Sequence, residues 1–194
     1  MGYLTTGGEV SIWGSPGKDR VKVSGNVKVT GELGSGDDIF HGQRNHGPVI
    51  IEGGDGNDIL VGGSGSDVLI GDGGNDRILG NAGNDIVYAG AGNDRGLGGD
   101  GSDSINGDDG NDRLSGGRGN DHLDGKNGRD HVAGDAGDDT VYGGTDDDHI
   151  VGGAGNDYVW GGAGSNRVIG GSGFDTALTN IHDRISSVED ILLS

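Results

Sequence analysis

One nine-residue phrase runs from Gly53 to Leu178 in 14 consecutive blocks, with no insertion between them. The first two blocks, GGDGNDILV and GGSGSDVLI, show its form: glycine at positions one, two and four, aspartate at six, an aliphatic residue at eight. A unit this short cannot bury an apolar face by itself. It must stack on copies of itself, so the chain is bound to a quasi-one-dimensional array in which each block touches mainly its neighbours.

Position six is aspartate in 13 of the 14 blocks: Asp58, Asp67, Asp76, Asp85, Asp94, Asp103, Asp112, Asp121, Asp130, Asp139, Asp148, Asp157 and Asp175, with Asn166 the one departure. Position eight is Leu60, Leu69, Ile78, Val87, Ile105, Leu114, Leu123, Val132, Val141, Ile150, Val159 and Val168, with Gly96 and Ala177 as the weak members. A carboxylate and an aliphatic residue two apart point to the same side of an extended strand, and the glycines ahead of them permit a tight turn with exposed carbonyls. Each block therefore reads as a loop carrying oxygen ligands, then a short strand. Turn formation would explain an isolated Gly-Asn-Asp, but it does not demand aspartate at one phase of a strict period. The aliphatic position reads as core filling a thin inter-sheet space, which predicts a void or thin spot at Gly96.

Composition shows why something besides apolar burial is needed. With 48 glycines, 4% aromatic and 29% hydrophobic residues, the chain cannot build a layered core of large side chains. Ordering so many glycines also costs the most conformational entropy. The net charge of −19 makes the chain self-repelling and argues against a nucleic-acid partner. The absence of cysteine excludes disulfides and C-x-x-C zinc sites. No apolar run is long enough for a transmembrane segment, and no charged-then-apolar N-terminal signal peptide is present.

The period and its lettering resemble the RTX (repeats-in-toxin) nonapeptide, the haemolysin-type calcium-binding repeat, over about two thirds of the chain. The resemblance implies an all-β, right-handed parallel β-roll: two nonapeptides per turn, each position-seven-to-nine triplet a strand in one of two sheets, each GGxGxD a loop at one edge. The blocks would form about seven regular turns, with residues two blocks apart directly stacked. One edge would carry Asp58, Asp76, Asp94, Asp112, Asp130 and Asp148, the other Asp67, Asp85, Asp103, Asp121, Asp139, Asp157 and Asp175. The resemblance also implies Ca2+ between successive aspartates of an edge, held by both carboxylates and by loop carbonyls. The metal-site glycines are then Gly53, Gly62, Gly71, Gly80, Gly98, Gly107, Gly116, Gly125, Gly134, Gly143, Gly152 and Gly161 at position one, and Gly56, Gly65, Gly74, Gly83, Gly92, Gly101, Gly110, Gly119, Gly128, Gly137, Gly155 and Gly164 at position four. Calcium is a hard cation that takes six to eight oxygens, and these loops offer carboxylates and carbonyls. Counting the gap from Asp148 to Asn166, which has lost one carboxylate, six gaps on each edge allow at most about 12 ions, whose charge would more than offset the −19.

The flanks are less regular. GSPGKDRVK at 14–22 and LGSGDDIFH at 33–41 are partial copies with Asp19 and Asp38 at the matching phase, and Asp38 joins the metal candidates. RNHGPVIIE at 44–52 keeps Gly47 and Ile51 in register but has Val49 in place of the aspartate. Residues 1–52 thus read as degenerate N-terminal solenoid turns, 53–178 as the calcium-binding roll and 179–194 as a C-terminal cap. Ile181, Ile185, Val188, Ile191 and Leu192 are expected to cover the last turn, although this tail also loosely resembles a type I secretion signal.

Catalysis finds little support. The six histidines include no HExxH, His122 and Asp124 form only a common strand pair, and no nucleophile, base and orienting group converge, so no enzyme is expected. Stacking places Arg77, Arg95, Arg113, His131, His149 and Arg167 in one outward column, where the arginines are candidate polyanion ligands or simple charge balance. Tyr88, Tyr142, Tyr158 and Trp160 reach the other sheet's outer face, and the last three form a candidate aromatic patch for a glycan or a partner domain. The leading reading is a secreted, monomeric module that folds on binding Ca2+ outside the cell. The alternatives are a carbohydrate-binding or adhesion module and the C-terminal part of a calcium-dependent secreted enzyme.

Overall fold

The computed structural model describes residues 2–6, 8–180 and 182–193. From Glu9–Trp13 onward successive strands alternate between two sheets, because each intervening loop carries the chain across a thin core. The first sheet, of 12 strands, runs from Gly2–Thr6 and Glu9–Trp13 through Val68–Gly73, Ser104–Asp109 and Thr140–Thr145 to Asp190–Leu193. The second, of 10 strands, runs from Arg20–Gly25 through Arg77–Ala82, Arg113–Arg118 and His149–Ala154 to Arg184–Ser186. Every pairing among the described residues is parallel except the first, Gly2–Thr6 against Glu9–Trp13. The result is a β-solenoid of about ten turns.

Register follows the period. Arg95 pairs with Arg77 on one side and Arg113 on the other, and Val87 with Leu69 and Ile105, each two blocks away. Most strands are longer than the expected triplet, which only Ile59–Val61 keeps within the regular blocks. Arg95–Asp100 spans positions seven to nine and then one to three of the next block, because Gly99 and Asp100 still lie over Gly117 and Arg118. In such blocks only positions four to six turn the chain.

The core is one residue deep from each sheet. Leu60, Ile78, Leu114, Val132, Ile150 and Val168 face Leu69, Val87, Ile105, Leu123, Val141 and Val159, all buried. Gly96 leaves no void. A Cβ added there would meet Ile105 Cγ2 and Leu114 Cδ2 at 3.2 Å, so the neighbouring side chains have closed over the missing one. Close packing favours such a collapse, since an empty space forfeits contacts on every wall. Below residue 53 larger side chains take over: Phe40, Leu33, Ile12 and Ile51 join the same continuous core.

The C-terminal tail continues both sheets. Arg184–Ser186 pairs with Arg167–Ser172, and Asp190–Leu193 with Thr176–Thr179. Val188 packs against the core, whereas Ile191 and Leu192 remain about half exposed. Ile181 lies outside the described residues.

Candidate metal centre

The loops are dictated by backbone proximity. At position four, a Cβ on Gly128 would fall onto the Gly110 carbonyl of the turn before, at a φ of 116° that L side chains rarely adopt. The Gly110 N–H in turn donates to the Asn127 carbonyl at 2.8 Å. Glycine here lets successive loops lie in contact. At the loop tips Asn57, Asn75, Asn93 and Asn111 form a side-chain ladder, each amide donating to the previous Oδ1 at 3.0–3.1 Å.

The loop aspartates then point inward in two stacked rows, all nearly fully buried. Each uses one oxygen to hold the stack. Asp76 Oδ1 accepts the Asp58 N–H at 2.7 Å, Asp94 Oδ1 that of Asp76 at 2.7 Å, and Asp112 Oδ1 that of Asp94 at 2.8 Å. The other edge repeats this from Asp67 to Asp175. The row begins before the regular blocks, since Asp38 takes the Asp19 N–H and Asp58 that of Asp38, both at 2.7 Å.

The second oxygen is different. Oδ2 of Asp38, Asp58, Asp76, Asp85, Asp94, Asp103, Asp112, Asp121, Asp130, Asp139, Asp148, Asp157 and Asp175 is buried without a hydrogen-bond partner among the described residues. Asp67 is the exception, because its Oδ2 accepts the Gly63 N–H at 2.6 Å. Except at Asp38 and Asp94, each orphan lies against a position-one glycine, where an added Cβ would collide with it. A Cβ on Gly107 would lie 2.6 Å from both Asp112 Oδ2 and the Gly125 carbonyl oxygen of the next turn. Gly134, Gly143 and Gly152 make the same oxygen-lined cradle with Asp139, Asp148 and Asp157. The position-one glycines therefore let an unpartnered carboxylate oxygen and a carbonyl oxygen of the next turn come together.

Electrostatics leave these carboxylates poor anions in the absence of a cation. Burial pushes Asp76, Asp85, Asp112, Asp121 and Asp148 up to about 7, and Asp58, Asp130 and Asp139 to about 6. The accepted N–H opposes that shift, and carboxylates on adjacent turns add to it, Asp94 and Asp130 for Asp112. Burial likewise raises Asp38, Asp67, Asp94, Asp103 and Asp157. No three His, Asp or Glu side chains converge on one point among the described residues, so a cation would complete its shell from backbone carbonyls. An all-oxygen donor set of this kind fits a hard cation such as calcium.

The family model of the RTX calcium-binding nonapeptide repeat, four copies long, matches in nine overlapping windows from residue 47 to residue 177. The chain belongs to the RTX calcium-binding nonapeptide repeat family. No curated protein matches it. RTX repeats bind calcium, and the chain is a structural repeat module of that kind.

The RTX rows extend further than the period suggests. Asp183 Oδ1 accepts the Asn166 N–H at 2.9 Å, and Glu189 Oε2 accepts that of Asp175 at 2.7 Å. Neither residue lies at the nine-residue phase, but Asp183-Arg184-Ile185 and Glu189-Asp190-Ile191 repeat the acid-x-aliphatic signal found in most blocks. Asn166 keeps the structural half of the role, taking the Asp148 N–H on Oδ1 at 2.9 Å. Its Nδ2 is a buried donor where the others present an oxygen.

The surface candidates fall on opposite sheets. Pairing places Arg77, Arg95, Arg113, His131, His149 and Arg167 in one column and adds Arg184. Tyr142 packs edge-on against Trp160 at 5.6 Å, Tyr158 at 6.4 Å and His122 at 5.3 Å. Tyr88 sits three strands away. Asp124 pairs with Lys126 at 2.7 Å rather than with His122.

Proposed function

We propose that this chain is a calcium-loaded structural roll that assembles outside the cell, exported unfolded and folded by the ions it meets there. The observation that carries the reading is the pair of buried Oδ2 rows in oxygen-lined cradles. Without a cation, the folded chain must either bury adjacent carboxylates as anions or protonate them. With calcium, the same oxygens become ligands, and binding energy becomes folding energy.

Successive aspartates of each row, with carbonyls of the position-one and position-four glycines, would hold up to about 12 ions. The Asp148–Asn166 step is the weakest, since a donor amide cannot ligate a cation there. Bound calcium would supply charge neutralisation and cross-links between turns. Residues 1–52 and 179–194 would then act as the ends of the stack, covering it and continuing its hydrogen bonding.

The test is far-ultraviolet circular dichroism in excess chelator and then during calcium titration. The expected result is a largely disordered spectrum that turns β-rich cooperatively. A full β signal in chelator at neutral pH would overturn the coupling of folding to calcium.

A further inference from the structure

We propose that the outer face of the second sheet binds an acidic polysaccharide laid along the roll axis. Five arginines and two histidines stand there on seven consecutive strands: Arg77, Arg95, Arg113, His131, His149, Arg167 and Arg184. Strand spacing makes their step about 4.8 Å.

Charge balance does not account for the column. Both edges of the roll carry equivalent aspartate rows, yet positions seven and nine of the blocks on the first sheet contain no lysine or arginine. None of the five arginines forms an ion pair among the described residues, whereas Lys18, Lys28, Arg118 and Lys126 each find an acid elsewhere. All five are exposed. Positions seven and nine on this sheet hold no carboxylate from Arg77 to Ser186, and the acid that reaches in is Asp135, which accepts a hydrogen bond from Ser115.

The floor beside the column selects the polymer. Leu79, Leu97, Ala133, Val151 and Ile169 occupy the neighbouring outward row, and a concavity of about 270 Å³ lies between Arg95, Arg113, His131 and Leu97. Guanidinium groups match carboxylates bidentately, and an apolar floor suits the C–H faces of pyranose rings. A polyuronate repeats one carboxylate per ring, at a step of the same order as the strands. Single-stranded nucleic acid fits less well, because base recognition relies on aromatic platforms and this face has no Phe, Tyr or Trp at either outward position. Each contact is solvent-exposed and weak alone, so affinity must come from several at once.

The inference rests on the folded, calcium-loaded roll, and circular dichroism of the same samples separates loss of fold from loss of binding. Calorimetry would use an oligogalacturonate too short to gel with calcium, a neutral dextran and an oligothymidylate. The column variant carries Ser at Arg77, Arg95, Arg113 and Arg167; a charge-matched control carries Ser at Lys18, Arg44, Arg118 and Arg129. Oligogalacturonate is expected to bind parent and control alike, about tenfold or more weaker to the column variant, and to weaken with salt. If the column variant does not fold, the single substitution Arg113→Gln takes its place, with a smaller loss expected in the same direction. No binding by the folded parent, equal binding by column variant and control, or equal affinity for oligothymidylate would each overturn the proposal.

Discussion

Asp112 holds the backbone N–H of Asp94, one turn away, on its Oδ1 at 2.8 Å while its Oδ2 lies unpartnered against Gly107. One carboxylate thus has two separable duties, stacking and ligation, and Asn166 shows the first performed without the second. Asp112→Asn should keep the hydrogen bond and raise the calcium midpoint of folding. Asp112→Ala should do that and also orphan a buried N–H, lowering the stability of the calcium-loaded roll by a further 1–3 kcal/mol, roughly. Calcium titrations and thermal melts of both variants check this. Equal melting temperatures at saturating calcium would show that the hydrogen bond contributes nothing.

Acid should partly replace calcium. The unfolded-state value for aspartate is about 3.9, below the values of about 6 to 7 that burial imposes on the rows. The metal-free roll therefore binds more protons folded than unfolded, and its stability falls as pH rises. This contribution is complete below about pH 4 and lost as pH passes about 7. Circular dichroism without calcium should show β structure gained on acidification over that window, and the calcium midpoint should rise as protons compete. A metal-free spectrum that is flat from neutral to acid pH would contradict the buried-row account.

Ala89 breaks the glycine rule at position one, between Gly71 and Gly107 in the stack, and is fully buried. Its methyl occupies the kind of space that the other blocks leave open beside their aspartate, here Asp94. Ala89→Gly should therefore tighten calcium binding or add an ion, and Gly107→Ala should remove one by closing the cradle at Asp112. Stoichiometry by flow dialysis reads both. Unchanged stoichiometry and affinity in the two variants would place the ions elsewhere.

The repeat made the architecture legible before any coordinates, because strict phase determines which residues stack and which faces they share. The pairing of Arg95 with Arg113 and the stacking of aspartates two blocks apart follow from counting alone. What counting missed lies where spacing changes. Asp183 follows Asn166 by 17 residues and Glu189 follows Asp175 by 14, so a nine-residue template passes over them although their hydrogen bonds continue the rows. Gly96 misled for another reason: a template assigns each position its own volume, whereas Ile105 and Leu114 share the space a missing neighbour leaves. The two duties of each carboxylate were also beyond the sequence, since they depend on which oxygen meets the turn before.

Lys126 offers a test of backbone strain that involves no metal ligand. It occupies position two, where φ is positive throughout much of the roll, and holds φ at 77°. Asp72, Asn81, Asp108 and Asp135 tolerate the same conformation through short polar side chains, but a lysine has no such compensation. Its ammonium pairs with Asp124 at 2.7 Å, which lifts its pKa, yet a surface pair of this kind is worth at most about 1 kcal/mol. Relief of the left-handed strain is of order 1–2 kcal/mol, offset in part by glycine's greater freedom in the unfolded chain. Lys126→Gly should therefore stabilise the calcium-loaded roll by about 0.5 kcal/mol, whereas Lys126→Ala keeps the strain, loses the ion pair and should melt at or below the parent. Thermal melts at saturating calcium rank the three. An alanine variant that melts as high as the glycine variant would mean that the side chain, not the backbone, sets stability at this position.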